Sequence, residues 1–124
     1  MRAIRNLAIL LVLLCTGCAA VVVGGAAAVG TYTYVAGHLK KTYNVNLDGA
    51  YQATIAGCES LGLPVLEREK QLSQATIKTR DADREVWITL KAQSSTTTEI
   101  SVRVGYLGDE QASRRIHDAI GAKL

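Results

Sequence analysis

Three sets of residues in this chain carry atoms that chemistry can use. Cys15 and Cys18 share a C-x-x-C frame in "LLCTGCAA", residues 13–20, a spacing that serves disulfide exchange, half of a zinc site or a processing signal. Ser113, His117 and Asp118 supply the residue types of a hydrolytic triad. Cys58 is the third of three cysteines.

The triad letters do not assemble on a helix. Ser113 and His117, four apart, can touch, but Asp118 lies about 100° round the axis from His117 and cannot orient its ring. Asp118 is better placed beside Arg114, which Glu110 also flanks at four residues, so the segment reads as a helix laced with surface ion pairs. No catalytic residue is assigned, and the chain is read as a non-enzyme. Cys58 falls on an apolar stripe with Ile55 and Leu61, the place of a small buried hydrophobe rather than of a reactive thiol.

The C-x-x-C frame is settled by its surroundings. A redox pair needs its first cysteine at a helix N-terminus after a core strand, whereas Cys15 ends the apolar run Leu7 to Leu14. A zinc site needs two more ligands, and only Cys58, His38 and His117 remain, none at motif spacing. No metal or other cofactor is expected. Arg2 and Arg5 instead form the charged start, Leu7 to Leu14 the short apolar core, and Thr16-Gly17 the small residues before a cut, as in a secretory signal.

A cysteine directly after such a cut makes the segment resemble a bacterial lipobox, in which that cysteine is acylated and becomes the mature N-terminus. Here it is Cys18, with residues 1–17 as signal peptide. The departure is Cys15, which occupies the position where a lipobox usually has Leu, Val or Ile. Palmitate on Cys18 would hold the protein on the cell envelope, and Ala19 rather than Asp after it implies the periplasmic face of the outer membrane in enteric-type bacteria. The rival is an uncleaved single span, since a helix from Leu7 to Gly30 is roughly 36 Å long and a bilayer core about 30 Å thick. Gly17, Gly24, Gly25 and Gly30 weigh against it, each costing about 1 kcal/mol in a helix.

Charge divides the chain as well. From Asn6 to Leu39 there is no Asp, Glu, Lys or Arg, whereas all 11 acidic residues and 12 of the 14 basic ones lie beyond. Without Arg2 and Arg5 the formal charge of +3 falls to +1, too little for a counterion-releasing grip on nucleic acid. Residues 18–37 are small and apolar, a tether in which Gly24 with Ala28 and Ala26 with Gly30 have the spacing that permits weak self-association in lipid.

From residue 38 the periodicities predict a domain to residue 124. Leu39, Tyr43 and Val45 alternate with polar residues as in a strand. Leu47, Ala50, Tyr51, Thr54, Ile55, Cys58 and Leu61 recur at three and four, a helix capped by Asn46 and ended by Gly62 and Pro64. Runs at 63–70, 74–80, 84–93 and 96–106 follow, the first an edge strand for its charges. The other three are alternating, with Ala75, Ile77, Thr79; Val86, Ile88, Leu90, Ala92; and Ile100, Val102, Val104, Tyr106 facing in. Asp109 caps a last helix with Ala112, Ile116, Ala119 and Ile120 as its core stripe.

The order β-α-β-β-β-β-α predicts an α+β two-layer sandwich: one antiparallel sheet of about five strands with two helices on one face, the other face polar. Trp87 falls on that outer face with Thr89. Trp87, Arg103 and Lys78 there either mark a partner surface, an envelope protein being the expected partner, or the indole lies flat over neighbouring stems. A lipid or small apolar ligand held between sheet and helices is the alternative, because Ala50, Ala112 and Ala119 leave either close helices or a gap.

The stretches "TGCAA", "LDGAYQATIAGCESLGL", "TIKTRDADREVWITLKA" and "ISVRVGYLGDEQASRRIHDAI" resemble a family of short bacterial lipoproteins defined only as a domain of unknown function, type 3568. The likeness covers nearly the whole chain. It implies an envelope lipoprotein with a small α+β domain, and brings no catalytic residues.

Overall fold

In the computed structural model residues 2–7 and 31–124 are described; Cys15, Cys18 and the tether to residue 30, with its small-residue spacings, lie outside them. Residues 2–7 are helical. The domain runs β1 (Thr33–Val35), β2 (His38–Tyr43), α1 (Leu47–Ser60), β3 (Val65–Lys70), β4 (Gln74–Asp81), β5 (Arg84–Ala92), β6 (Thr98–Val104) and α2 (Glu110–Gly121). Among the described residues no helix is long and apolar enough to cross a membrane.

The six strands form one sheet in the order β1-β2-β6-β5-β4-β3, with every pairing antiparallel. Strict alternation in β4, β5 and β6 sends Ala75, Ile77, Val86, Ile88, Leu90, Ile100, Val102 and Val104 to one face, where each is at most 2% exposed. Full burial of an aliphatic side chain of this size stabilises by roughly 1.5–3 kcal/mol, so the three middle strands hold most of the core. The β3 edge carries Glu67, Arg68, Glu69 and Lys70, all exposed, and a register shift between Val65 and Glu67. Charge and bulge together keep that edge from pairing with another chain.

Both helices lie on the apolar face. Asn46 caps α1 through its side-chain oxygen, which accepts from the Gly49 N–H at 2.8 Å. Leu63 N–H closes the other end on Cys58 O at 2.9 Å. Asp109 caps α2, accepting from Ala112 N–H at 3.0 Å, while its other oxygen accepts from Arg84 at 2.7 Å. Those backbone N–H groups, then Arg84, hold the Asp109 carboxyl below its ordinary range. The helices come close where Gly57 faces α2: a Cβ at Gly57 would stand 3.0 Å from Ile120 N and 3.1 Å from the Ala119 carbonyl carbon. Small residues here bring the helices together.

Three details depart from the sequence reading. The sheet has six strands rather than about five, because Thr33 to Val35, within the stretch expected as tether, pair with Lys40 to His38 through a tight turn. Ala36 and Gly37 in that turn both have positive φ, 52° and 85°, as the hairpin turn that suits strand twist requires. Tyr106 does not face the core. The chain leaves the strand at Gly105, whose φ is 75°, and Tyr106 is 83% exposed. His117 and Ser113, read as part of an ion-paired surface, are fully buried.

Candidate functional site

Two arrangements of polar side chains stand out, one inside and one on the outer sheet face. The inner one is built by β2 and α2. His117 Nε2 lies 2.7 Å from Leu39 O, which can only accept, so the ring proton sits on Nε2. Nδ1 then accepts from the Tyr43 hydroxyl at 2.9 Å. Burial, foremost, holds His117 down to about 4; the hydrogen bond to Leu39 opposes that shift, Lys41 adds to it, and Asp118 opposes it. The imidazole is therefore neutral at pH 7.

Tyr32 packs edge-on against this ring with centroids 5.4 Å apart, and its hydroxyl donates to Asp118 at 3.1 Å. Lys41 and Arg114 lie over the Tyr32 ring at 4.9 and 4.7 Å. The lysine side chain, though it points to the helix layer, thus keeps its charge against aromatic faces. Asp118 serves Tyr32 and not His117, and Ser113 Oγ is buried without a hydrogen-bond partner among the described residues. Ser113, His117 and Asp118 are not brought together as a triad. His117 and Asp118 instead receive Tyr32 near the start of the domain.

On the outer face the strand register fixes what stands beside what. Lys78 pairs with Trp87 and Trp87 with Arg103, so the three residues expected from alternation form one row across β4, β5 and β6. The Arg103 guanidinium lies between two rings, 5.6 Å from the Trp87 centroid and 5.7 Å from that of Tyr106, and donates to Tyr106 O. Lys78 leans to Glu85 at 3.7 Å. A cation thus covers one side of the indole, and the three side chains form a half-buried row on the outer face. Beyond Trp87 a hollow of about 290 Å³ is lined by Glu67, Arg68, Glu69, Thr76 and Lys78.

Alternation could not have shown how this row continues. His38 extends it from β2, because Leu39 pairs with Val102 and puts His38 beside Arg103. The signal was in the pattern "HLKKTY", but its neighbours depend on β2 joining β6, a pairing across more than fifty residues of chain. Cys58 is where the stripe put it, fully buried, and burial, then Glu59, pushes its thiol up to about 11. The folded protein is expected to leave Cys58 unmodified by iodoacetamide at pH 7.5, with labelling appearing only in denaturant; rapid labelling without denaturant, read by mass spectrometry, would show the stripe to be open.

No group of three or more His, Cys, Asp and Glu among the described residues is placed to hold a metal ion. No curated protein matches the chain. The model of a family described as "Protein of unknown function (DUF3568)" matches residues 3–123, from the basic N-terminal start through the last helix. The chain belongs to that family.

Proposed function

We propose that this protein is a non-enzymatic envelope lipoprotein, acylated at Cys18 and held on the periplasmic face of the outer membrane, whose α+β domain serves as a partner-binding module. The observation that carries the reading is the order of Arg2 and Arg5, the apolar run Leu7 to Leu14 and Thr16-Gly17-Cys18. The family match supports it, because it takes in this leader and the domain as one unit. Each buried acyl methylene stabilises membrane association by about 0.8 kcal/mol, and two or more chains make attachment durable.

The domain adds a fixed recognition surface to that anchor. The Trp87, Arg103 and Lys78 row is held by strand register on one side of a sheet whose other side is covered by helices. An aromatic and a guanidinium already locked together lose little entropy on binding, which favours them as contact points for an envelope protein. Palmitate labelling of wild type and Cys18→Ser tests the anchor: label and membrane fraction are expected for wild type alone. Equal fractionation and no label on either protein would contradict it. Photo-crosslinking from position 87 in cells then tests the surface, with recovery of one saturable partner expected and background capture of abundant porins the contrary result.

A further inference from the structure

The outer face holds a second feature, which meets the Trp87 row at His38 and is otherwise built from different residues. Lys40, Ser101 and Thr89 stand in line across β2, β6 and β5, since Lys40 pairs with Ser101 and Ser101 with Thr89. Lys91 and Glu99 pair in the next row, and His38 borders the other side. Short hydroxyl side chains flanked by long ones leave a depression, a hollow of about 210 Å³ lined by these six residues. Ser101 is 8% exposed and forms the floor. Its Oγ lies 3.4 Å from His38 Nδ1, so hydroxyl and imidazole meet at the same space.

We infer that this hollow binds the phosphate group of a phosphate ester. Donors surround it from three strands: the ammonium groups of Lys40 and Lys91, the hydroxyls of Thr89 and Ser101, and the His38 ring. A tetrahedral oxyanion has acceptor oxygens on every side, whereas a carboxylate presents two in one plane, so donors spread around a bowl suit phosphate better. Charge agrees with shape. Among the described residues neither lysine is in an ion pair, and the lining holds two lysines against the single carboxylate of Glu99.

The state of His38 points the same way. Burial, foremost, holds its imidazole below the ordinary histidine value; the nearby charges of Arg103 and Lys40 lower it further, and it is this positive field, not the burial, that favours an anion. Glu99, on the rim, accepts from a hydroxyl or ammonium group on the alcohol part of the ester. That contact separates an ester from inorganic phosphate. The site does not depend on acylation of Cys18 or on a partner bound at Trp87, and it fails or holds independently of both.

The test follows the His38 ring signals by NMR in the whole protein in neutral detergent, against pH. Glycerol 3-phosphate is compared with sodium chloride at equal ionic strength, and phosphatidylglycerol is added to the micelles in a separate arm. A bound phosphate facing the imidazole raises the His38 midpoint by about half a unit or more. The Lys40→Gln/Lys91→Gln double variant loses that response while Lys78→Gln keeps it. A response to glycerol 3-phosphate identifies a soluble ester, and a response to the lipid alone identifies a headgroup. A midpoint that moves no more than in chloride in both arms, or a response that survives in the double variant, overturns the site.

Discussion

Replacing Gly108 by Ala is expected to lower the unfolding free energy by about 3 kcal/mol, the sum of a backbone and a packing cost. Gly108 has φ of 84°, where an L side chain costs about 1–2 kcal/mol. Its added Cβ would stand 2.5 Å from Gly37 Cα and 2.6 Å from Gly37 O, both backbone atoms that cannot rotate away. The β1–β2 turn and the loop into α2 touch there without side chains between them. Gly62 provides the control. It also has positive φ, 71°, but nothing lies within 4 Å of its Cβ position, so Gly62→Ala bears the backbone cost alone. Urea unfolding of both variants separates the terms; equal losses would mean that the two turns do not pack as described.

Acid is expected to weaken the fold through His117. An unfolded histidine titrates near 6.5, and the folded ring is held down to about 4, so between these values the unfolded chain binds the extra proton. Stability is therefore complete above pH 6.5 and falls as pH drops toward 4, by about 1.4 kcal/mol per unit and about 3 kcal/mol in all. The cause is geometric. Protonation puts a charge beside Lys41 in a fully buried site, and takes the Nδ1 acceptor from the Tyr43 hydroxyl. His38, whose value is also held low, contributes in the same direction. His117→Gln removes only the first contribution, so the difference between the two pH profiles isolates it. Parallel profiles from pH 6.5 to 4.5 would contradict a buried neutral imidazole.

Much of the architecture was written in local pattern. Period-two alternation in β4, β5 and β6, joined by short turns, fixed the facing of Ile77, Ile88 and Val102 and with it the outward row of Lys78, Trp87 and Arg103. Asn46 and Asp109 announced both helix starts. What local pattern could not carry was contact between distant segments. His117 is buried because Tyr43, seventy-four residues earlier, hydrogen-bonds it, and on its own helix it sits among charged neighbours. Thr33 to Val35 follow an Ala/Gly-rich run and become a strand through pairing with β2. Tyr106 continued the alternation of β6 in type, but Gly105 breaks the strand by its backbone conformation. His38 and Ser101 meet for the same nonlocal reason, through the β2–β6 ladder.

The arrangement gives the outer sheet face its meaning. Helices α1 and α2 occupy the apolar side, which leaves the face bearing Trp87 and the Lys40–Ser101–Thr89 hollow uncovered among the described residues. Tyr32, clamped on α2 by Asp118 and Arg114, fixes where the chain enters the domain.

Intact mass spectrometry of the protein extracted from membranes of the cells that make it tests the anchor itself. The account predicts a polypeptide that starts at Cys18 and carries the added mass of fatty acyl chains. A polypeptide that starts at Met1 with no acyl mass would contradict it.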